Sequence, residues 1–457
     1  MRRRKNNSSF GVLFVLVLIV AAGLYVYFSA TFERVAPQIV LKNSNGYWNL
    51  KKPLKIKISD TSGVKSYKII MRTKDGDKTL QYEQLLNPQK ELQLEVAPPR
   101  GSYTMKDKAI KLIVQAQDTS SKWNLLKGNL AQQEFTLKID KKRPRVSIVS
   151  NSYKISRGGS ALVVFKVEDE NIDDIYILSN HNKHFKAEPF YKEGYYMALL
   201  AWPVKDSGFK ATVVATDAAG NVVKAYVPLY LKNKDYRVSK ITLSDKFLNG
   251  KIAELSDEFE ETQGVENRLE RFKIINEDVR AKNEELIHKL TAKVPTEMIS
   301  DFKMKRMYPL KNGQVVAYFG DHRKYYYKGR FVSEAYHLGI DLASHAMAPI
   351  KTQNGGVVVF ADFNGLYGNM LALSHGLGLY TIYGHCSSLD VTQGEDVPPN
   401  SKIASTGKTG YAMGDHLHFG VLVQGIEMRP QEWMDKQWIK LNISDIIKSA
   451  KKIIDQQ

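Results

Sequence analysis

Two short motifs near the C-terminus carry residue types that bind transition metals. His337 and Asp341 stand four residues apart, and much later His416 and His418 flank Leu417. Side chains alternate along a strand, so histidines at i and i+2 project from one face. Two imidazoles and one carboxylate are ligands that a catalytic zinc ion takes while its fourth position stays open for water. The spacing therefore predicts a metallohydrolase site.

The histidines are concentrated around these motifs. Seven of the ten lie between positions 322 and 418, namely His322, His337, His345, His375, His385, His416 and His418. His385 follows the run Tyr380 to Gly384, which predicts an imidazole at the end of a strand between the two motifs. No His-Glu-x-x-His motif supplies a glutamate base. Histidine, with an unperturbed pKa of about 6.5, suits the proton transfer instead.

The region around these motifs has the composition of an all-β domain. Residues 305–436 are rich in glycine and β-branched residues, with alternating runs such as Val357 to Phe360. A strand starting near Asp415 would place His416 and His418 on one face. Residues 437–457 predict a short amphipathic helix with Ser444 as its N-cap, packed on the body of the protein or, alternatively, docked on a membrane surface.

Residues 242–304 change to a helical period. Leu248, Ile252, Leu255 and Phe259 form one apolar stripe, and a second stripe begins at Val265. Gly264 between them predicts a helical hairpin that ends before Pro295. This hairpin is either a packed linker or a lid or partner-docking arm for the domain that follows.

Residues 34–140 and 143–234 show short alternating strands in two successive units of similar pattern. The segment Leu112 to Asp118 of the first unit is echoed by Thr212 to Asp217 of the second, and Lys141 to Pro144 form the boundary. Unit size and strand spacing resemble bacterial immunoglobulin-like sandwiches. A spacer is the default role, and binding of envelope protein partners is the alternative.

The N-terminus predicts a single-pass membrane anchor. Residues 1–9 form a basic tail with Arg2 to Lys5, and the uncharged apolar run 10–30 is long enough to span a bilayer core of roughly 30 Å. Positive charge before the run predicts a cytoplasmic N-terminus at the inner membrane and a periplasmic body. A cleaved signal peptide is the alternative, but its apolar region is usually about 7–15 residues.

The overall composition bounds the remaining possibilities. The 457 residues predict about three domains, and 43% hydrophobic with 25% charged residues is ordinary globular material. The net charge of +18 favours contact with an anionic cell wall or membrane; no nucleic-acid-binding signature accompanies it. Cys386 is the single cysteine, which excludes an intramolecular disulfide.

From about Val315 to Trp433 the chain resembles the lysostaphin-like (LytM-type) zinc metallopeptidases, which cut peptide bonds in peptidoglycan. The resemblance rests on an ordered set of motifs: Phe319-Gly320, His337-Leu338-Gly339-Ile340-Asp341, Tyr367-Gly368-Asn369, Ser374-His375-Gly376, Tyr383-Gly384-His385, Gly407-Lys408-Thr409-Gly410, His416-Leu417-His418-Phe419 and Arg429-Pro430.

This resemblance implies a role for each matching residue. His337, Asp341 and His418 match the ligands of one zinc ion per chain, and His385 and His416 match the two catalytic histidines. His416 is then expected as the base that acts on water and His385 as the hydrogen-bond donor to the developing oxyanion, although the reverse stays open.

Other residues in the region receive structural interpretations. His375 matches a structural histidine of the family, and the complete zinc set makes a nucleophilic role for Cys386 unnecessary. Asp415 replaces a common proline, which could alter the hydrogen bonds around the histidine pair. The stretch Asp321 to Phe331 is longer than the family minimum and forms either an aromatic and basic groove wall or simply a hairpin.

The expected protein is mainly β, with a transmembrane helix, two immunoglobulin-like sandwiches, a helical hairpin and a C-terminal metallopeptidase domain. The resemblance implies a peptidoglycan endopeptidase that cleaves D-alanyl–meso-diaminopimelate crosslinks. The alternative is a non-enzymatic regulator that activates other cell-wall hydrolases through protein contacts. All five site positions are filled, which favours the enzyme.

Overall fold

The computed structural model describes residues 8–28, 35–42, 45–120 and 128–457. The basic cluster Arg2 to Lys5 and the predicted end of the anchor at 29–30 lie outside these residues. The described chain is mainly β, with 45% strand and 20% helix. It divides into two compact units, and the first unit ends at Pro144. The short segments 169–173 and 216–222 also belong to the first unit.

The first unit begins with one apolar helix, α1 (Ser8–Phe28). Within it, Gly11–Phe28 is long and apolar enough to cross a membrane, and the described chain does not bury it. A signal sequence near an N-terminus can meet the same criterion of length and composition. The strands that follow are β1 (Gln38–Leu41), β2 (Tyr47–Trp48), β3 (Leu54–Thr73), β4 (Gly76–Val96), β5 (Ala109–Asp118) and β6 (Leu130–Ile139).

These six strands form one sheet in the order β1-β3-β5-β6-β2, with β4 paired to β3. The register of β3 shifts between Ser59 and Val64, so its first half pairs with β1 and its second half with β5. Such irregularities bend a strand and redirect it. The sandwich assignment of this region stays a prediction.

The second unit opens with two four-stranded sheets, ordered β11-β10-β14-β15 and β12-β13-β9-β7, and a short pair of β16 and β8. Their strands are β7 (Arg145–Asn151), β8 (Lys154–Ser156), β9 (Ser160–Glu168), β10 (Ile172–Ser179), β11 (His184–Lys186), β12 (Glu188–Pro189), β13 (Tyr195–Ala201), β14 (Ala211–Asp217), β15 (Val222–Tyr226) and β16 (Tyr230–Lys232).

A helical segment follows the strand β17 (Val238–Thr242). It contains α2 (Asp245–Asn249), α3 (Lys251–Ser256), α4 (Arg268–Ile274) and α5 (Arg280–Thr291). Side-chain oxygens of Ser244 and Asn267 accept N–H groups at the starts of α2 and α4, as N-caps do. Gly264 has a φ of +74° in the turn between the two halves. A π-helical turn, Ile275–Val279, joins α4 to α5 without a break.

The remaining strands build the β-rich C-terminal domain. They are β18 (Gln314–Ala317), β19 (His322–Tyr327), β20 (Arg330–Tyr336), β21 (Ile340–Ala343), β22 (Pro349–Lys351), β23 (Gly356–Phe363), β24 (Asn369–Ser374), β25 (Leu379–Cys386), β26 (Ser388–Leu389), β27 (Asp396–Val397), β28 (Lys402–Ser405), β29 (Leu417–Val423) and β30 (Ile426–Met428). The main sheet has the order β18-β21-β29-β25-β24-β23-β27, with β30 paired to β29.

The helical segment packs on this domain through its apolar stripes. Leu248, Ile252 and Phe272 are buried in one cluster with Tyr325 of β19 and Leu366 of the loop before β24. The segment is therefore packed against the C-terminal β-rich domain, and it shares a hydrophobic core with the β19–β20 hairpin.

The C-terminal helices are α6 (Pro430–Trp433), α7 (Lys436–Ile439) and α8 (Asp445–Asp455). α6 packs against β29 and α7, and α8 packs against β7 and β9 of the same unit. Ile447, Ala450 and Ile454 of α8 are buried. The predicted N-cap at Ser444 is wrong, because a π-helical turn precedes α8 and holds Ser444 in helical conformation with no capping bond. The apolar face of α8 thus faces the body of the unit.

A buried carboxyl group lies where β12 meets the C-terminal domain. Glu188 is 0% exposed, and neither of its carboxyl oxygens has a hydrogen-bond partner in the described chain. Burial raises the pKa of Glu188 to about 7. The nearby backbone amide of Leu377 opposes this rise only weakly, because it makes no hydrogen bond of normal geometry with the carboxyl group. The folded protein therefore favours the protonated form of Glu188.

Glu188→Gln is expected to flatten the pH dependence of stability. In the wild type the raised pKa makes folding most favourable below about pH 4.5, and stability falls as pH rises toward about 7, by roughly 3 kcal/mol for this group. Glutamine cannot ionise, so this loss should disappear from melting curves recorded between pH 5 and 8. Replacement of the exposed Glu193 by Gln is the control, and equal pH slopes for wild type and Glu188→Gln would contradict the expectation.

Candidate metal centre

Three neighbouring strands of the main sheet bring the two sequence motifs together. Asp341 on β21 is the direct cross-strand partner of His418 on β29, and Gly384 on β25 is the partner of His418 on the other side. His337 lies in the connection from β20 to β21, where its N–H donates to the Asp321 carbonyl at 3.0 Å. The register of the strands therefore brings Asp341 and His418, which are far apart in the chain, into direct contact.

The three predicted ligands form a compact triangle. His337 Nε2 lies 3.0 Å from Asp341 Oδ1, His418 Nδ1 lies 2.9 Å from the same oxygen, and the two nitrogens are 3.2 Å apart. Zinc bonds of roughly 2.0–2.1 Å in tetrahedral geometry require ligand atoms about 3.3 Å apart. The three donor atoms therefore match one face of a zinc tetrahedron, and no acidic or histidine residue closes the fourth side in the described chain.

Backbone contacts fix which nitrogen of His337 faces the triangle. Its Nδ1 lies 2.9 Å from the carbonyl oxygen of Tyr318, which can only accept, so Nδ1 carries the proton and Nε2 keeps its lone pair. His418 instead presents Nδ1, and its buried Nε2 has no hydrogen-bond partner in the described chain. A methyl group at Gly339 would lie 2.5 Å from this imidazole, so glycine there permits the close approach.

The electrostatics of the triangle favour an anionic carboxylate. Burial would raise the pKa of Asp341, but the charges and hydrogen bonds of His337 and His418 hold it well below its usual range. Burial lowers the pKa of His418, which keeps its imidazole neutral. An ionised carboxylate and a neutral imidazole, as favoured here for Asp341 and His418, are forms that bind a divalent metal.

Two further imidazoles lie beside the triangle. The rings of His385 and His416 are 4.8 Å apart, and His385 lies 5.9 Å from the ring of His418. His385 Nδ1 donates to the Thr409 carbonyl at 2.9 Å, and His416 Nδ1 donates to the Gly414 carbonyl at 2.8 Å. In both residues Nε2 is left as the nitrogen available for proton transfer.

The backbone at His385 adopts an uncommon conformation. Its φ is +64°, in the left-handed region that non-glycine residues seldom occupy. Such strain is held in place by surrounding structure and is concentrated at functional sites. Burial, followed by the neighbouring imidazoles of His418 and His416, lowers the pKa of His385 to about 3, so its resting form is neutral.

Asp415 holds the turn that precedes the histidine pair. Its two carboxylate oxygens accept from the Met347 N–H at 3.1 Å and from the Thr406 hydroxyl at 2.5 Å. The strand predicted to start near Asp415 begins at Leu417, and His416 before it is paired through an isolated bridge with Gly407. His416 is therefore positioned by turn hydrogen bonds as well as by the strand.

The site opens into a groove of about 640 Å³. All five predicted site residues line it: His337, Asp341, His385, His416 and His418. Its side walls include Phe247 and Arg280 from the helical segment and Arg323 and Tyr325 from β19. The stretch Asp321 to Phe331 is thus both a hairpin and part of the groove wall, and the helical segment contributes another part.

The sequence did not single out the contribution of α5. Asn283 Oδ1 accepts from the Leu366 N–H at 2.9 Å, and its carbonyl accepts from the Asn364 side chain at 3.3 Å. Arg280 stands one turn earlier on the same helix and faces the groove. The signal in the sequence for Arg280 and Asn283 was that polar residues interrupt an apolar helical period. This signal is weak, because many solvent-exposed helix faces show the same pattern.

The other histidines and the cysteine have structural surroundings. His375 is held by the Gly355 carbonyl at 2.7 Å and Thr381 Oγ1 at 2.8 Å, and burial lowers its pKa to about 4. Burial raises the pKa of the Cys386 thiol to about 12, which disfavours a nucleophilic thiolate. His345 is exposed.

The sequence profile of peptidase family M23 matches residues 335–430. A DD-carboxypeptidase/endopeptidase Mpg from Neisseria meningitidis is 34% identical over 94 residues, 21% of this chain and 22% of that protein. A peptidoglycan DD-endopeptidase, ShyA, from Vibrio cholerae is 35% identical over 89 residues, 20% of this chain and 21% of that protein. The chain thus spans about a fifth of the length of these curated relatives.

Among solved structures, the catalytic domain of the antimicrobial peptidase lysostaphin from Staphylococcus simulans aligns with 27% of this chain and 93% of its own, at 25% identity and a TM-score of 0.23. The family match over residues 335–430 contains all three residues of the histidine and aspartate triangle.

Proposed function

We propose that this chain, whose C-terminal domain belongs to peptidase family M23, is a zinc-dependent endopeptidase that hydrolyses peptide crosslinks of peptidoglycan. The observation that carries the proposal is the triangle of His337, Asp341 and His418, with two more imidazoles beside it in an open groove. Crosslinks between D-alanine and meso-diaminopimelate are the proposed substrate.

His337 Nε2, Asp341 Oδ1 and His418 Nδ1 would hold the zinc ion. The fit rests on their mutual distances, on the Tyr318 carbonyl that turns His337 Nε2 toward the triangle, and on the lowered pKa of Asp341. When bound, zinc acts as a Lewis acid toward a peptide carbonyl and lowers the pKa of water.

His416 is the proposed general base. With Nδ1–H bonded to the Gly414 carbonyl, Nε2 has the lone pair that removes a proton from the attacking water. This nitrogen lies 3.8 Å from Asp341 Oδ2, and a carboxylate at that distance stabilises the imidazolium formed during proton transfer.

His385 is proposed to orient the attacking water, which changes the role expected from the resemblance. A donor to the oxyanion would need a proton on Nε2, since Nδ1–H already binds the Thr409 carbonyl. The lowered pKa of His385, about 3, opposes that second proton. We therefore assign His385 Nε2 as an acceptor of a hydrogen bond from water.

The proposed location is the inner membrane, with the N-terminus in the cytoplasm and the catalytic domain in the periplasm. The apolar helix Gly11–Phe28 and the basic residues before it support this orientation. A reporter that works only outside the cytoplasm, fused after Gln457, should be active; a reporter active only in the cytoplasm would contradict the orientation.

Digestion of purified crosslinked muropeptides tests the enzymatic proposal. The full-length chain in detergent, loaded with zinc, should convert dimers to monomers, and mass analysis of the products identifies the bond. A zinc-loaded, folded protein that leaves dimers intact would favour the regulatory alternative.

A further inference from the structure

We propose that Arg280 and Arg323 form a binding site for a substrate carboxylate in the groove beside the scissile bond. The inference rests on the proposed function and narrows it to crosslinks that carry a free carboxylate next to the bond cut, as diaminopimelate crosslinks do and neutral glycine bridges do not. Arg280 comes from α5 and Arg323 from β19, and both line the groove of the metal centre.

Among the residues that the structure describes, the guanidinium group of Arg280 has no ion-pair partner. Its Nε donates to the Asn276 carbonyl at 3.2 Å and its Nη2 donates to Asn276 Oδ1 at 3.0 Å, both neutral acceptors. No carboxylate lies within 4.0 Å of it in the part of the chain that the structure describes, and Nη1 has no hydrogen-bond partner there. A half-buried, unpaired cation that faces a substrate groove is suited to bind an anion.

The position of Arg280 is fixed by the π-helical turn. Asn276 is buried within this turn, and its side-chain amide donates to Ser333 Oγ at 2.8 Å and to the Glu334 carbonyl at 3.3 Å. The turn is thereby tied to β20, and Asn276 in turn holds the guanidinium. π-helical turns within α-helices often occur at functional sites. The cation is therefore oriented before any ligand arrives.

Arg323 reaches the groove from the other wall, next to the metal centre. Its Nη2 lies 4.0 Å from Asp341 Oδ2, and its Nε lies 3.5 Å from Asp321 Oδ2. Arg280 lies 5.9 Å from the Tyr411 ring, and all three residues line the same groove. Burial raises the pKa of Tyr411, and the positive charges of both arginines oppose this rise.

Arg280 is the charged residue of the groove lining that has no close carboxylate in the described chain. The lining charges other than histidines are Arg280, Arg323, Asp341 and Asp415, so they sum to zero. Asp341 is the proposed metal ligand, and Asp415 accepts hydrogen bonds from Met347 and Thr406. The Glu284 carboxylate, one turn after Arg280 on α5, interacts with the Arg280 charge only beyond ion-pair distance. Arg280 is therefore the cation available to a ligand, and Arg323, which lies near Asp321 and Asp341, is its auxiliary.

Both arginines lie outside residues 335–430, which the M23 profile covers. The carboxylate site would consequently be supplied by the helical segment and the β19–β20 hairpin, the two additions that form the groove walls. This gives the helical segment a role in substrate choice beyond packing.

The test compares two muropeptide dimers that differ only in the carboxyl group next to the scissile bond, one with the free acid and the other with the amide. Full-length wild type should prefer the free acid in kcat/KM by about tenfold to a hundredfold, the range expected for a hydrogen-bonded charged group. Arg280→Gln should bring this ratio toward one, mainly through KM, and Arg280→Lys should give an intermediate ratio because it keeps the charge.

Lys289→Gln is the matched control, because it removes one positive charge from an exposed position of the same helix and should keep the wild-type ratio. A wild-type ratio of one, or a ratio unchanged by Arg280→Gln, would overturn the carboxylate site while leaving the endopeptidase proposal intact. If zinc-loaded wild type cleaves neither dimer, the proposed function fails. Calorimetry of both dimers then tests the carboxylate site separately. Tighter binding of the free acid by wild type, lost in Arg280→Gln, would support the site. Equal binding of the two dimers by wild type would overturn it.

Discussion

Replacement of His337, Asp341 or His418 by alanine is expected to remove bound zinc and peptide cleavage together. Each residue supplies one of three mutually adjacent donor atoms, with separations of 2.9–3.2 Å. Metal affinity depends directly on the number and geometry of these donors. The loss of affinity should exceed the roughly 10–100-fold that follows from losing an outer hydrogen-bond partner. Elemental analysis beside muropeptide digestion measures both effects.

His345→Ala is the matched control for this series, because His345 is an exposed histidine of the same domain outside the triangle. It should retain one zinc ion per chain and wild-type cleavage. A chelator should lower the melting temperature of wild type and of this control, but not of the three ligand variants, since bound metal stabilises only a protein that binds it. Full zinc content in any ligand variant would show that our ligand set is wrong.

Replacement of His385 or His416 by alanine is expected to separate zinc binding from catalysis. Neither imidazole belongs to the triangle, so zinc should stay bound at one ion per chain. The loss should fall on kcat, by roughly 10²–10⁴, the usual contribution of a positioned acid or base. His416→Ala should have the larger effect, because it removes the proposed base, whereas His385→Ala removes a group that orients water.

Parallel zinc analysis and kinetics on the same preparations check this second expectation. If either variant lost zinc as completely as His418→Ala, that histidine would belong to the ligand set. If either kept wild-type kcat, its catalytic role would be wrong. His385→Ala keeps the positive φ at position 385 unfavourable, since alanine also carries a Cβ, and it removes the imidazole contacts; a melting curve therefore accompanies the kinetic measurement.

The helical region shows how far periodicity alone can be used. The stripe Leu248, Ile252, Leu255 and Phe259 predicted a buried face, and all four side chains are buried. The same pattern left open whether the segment was a packed linker or a lid, because an apolar stripe does not identify the surface that it covers. Packing against Tyr325 and Leu366 emerges only when distant strands have assembled.

Local rules were less dependable at element ends. Ser444 has the side chain of an N-cap, yet the preceding π-helical turn keeps it within the helix. The strand expected from Asp415 begins at Leu417, because Asp415 and His416 are held by turn contacts with Thr406 and Gly407. The helical conformation of the preceding turn decided the first boundary, and the bridge between His416 and Gly407 precedes the second.

The sequence by itself determined the chemistry available to this protein. The order and spacing of the histidine and aspartate motifs, together with their resemblance to a peptidase family, predict His337, Asp341, His385, His416 and His418 as the site residues. The M23 match over 335–430 agrees with that family. Residue types and short spacings are properties of the chain, so they can be read without coordinates.

Only the tertiary structure decided how these groups face one another. Placing Asp341 opposite His418 requires one particular register between β21 and β29, and a shift of one residue would turn a ligand to the other face. Backbone carbonyls from distant segments accept from one nitrogen of His337 and of His385, and so leave the other nitrogen of each ring free for the site. The helix that brings Arg280 to the groove is likewise distant in the chain. Such contacts follow from burial and strand pairing over long separations, which local sequence patterns do not specify.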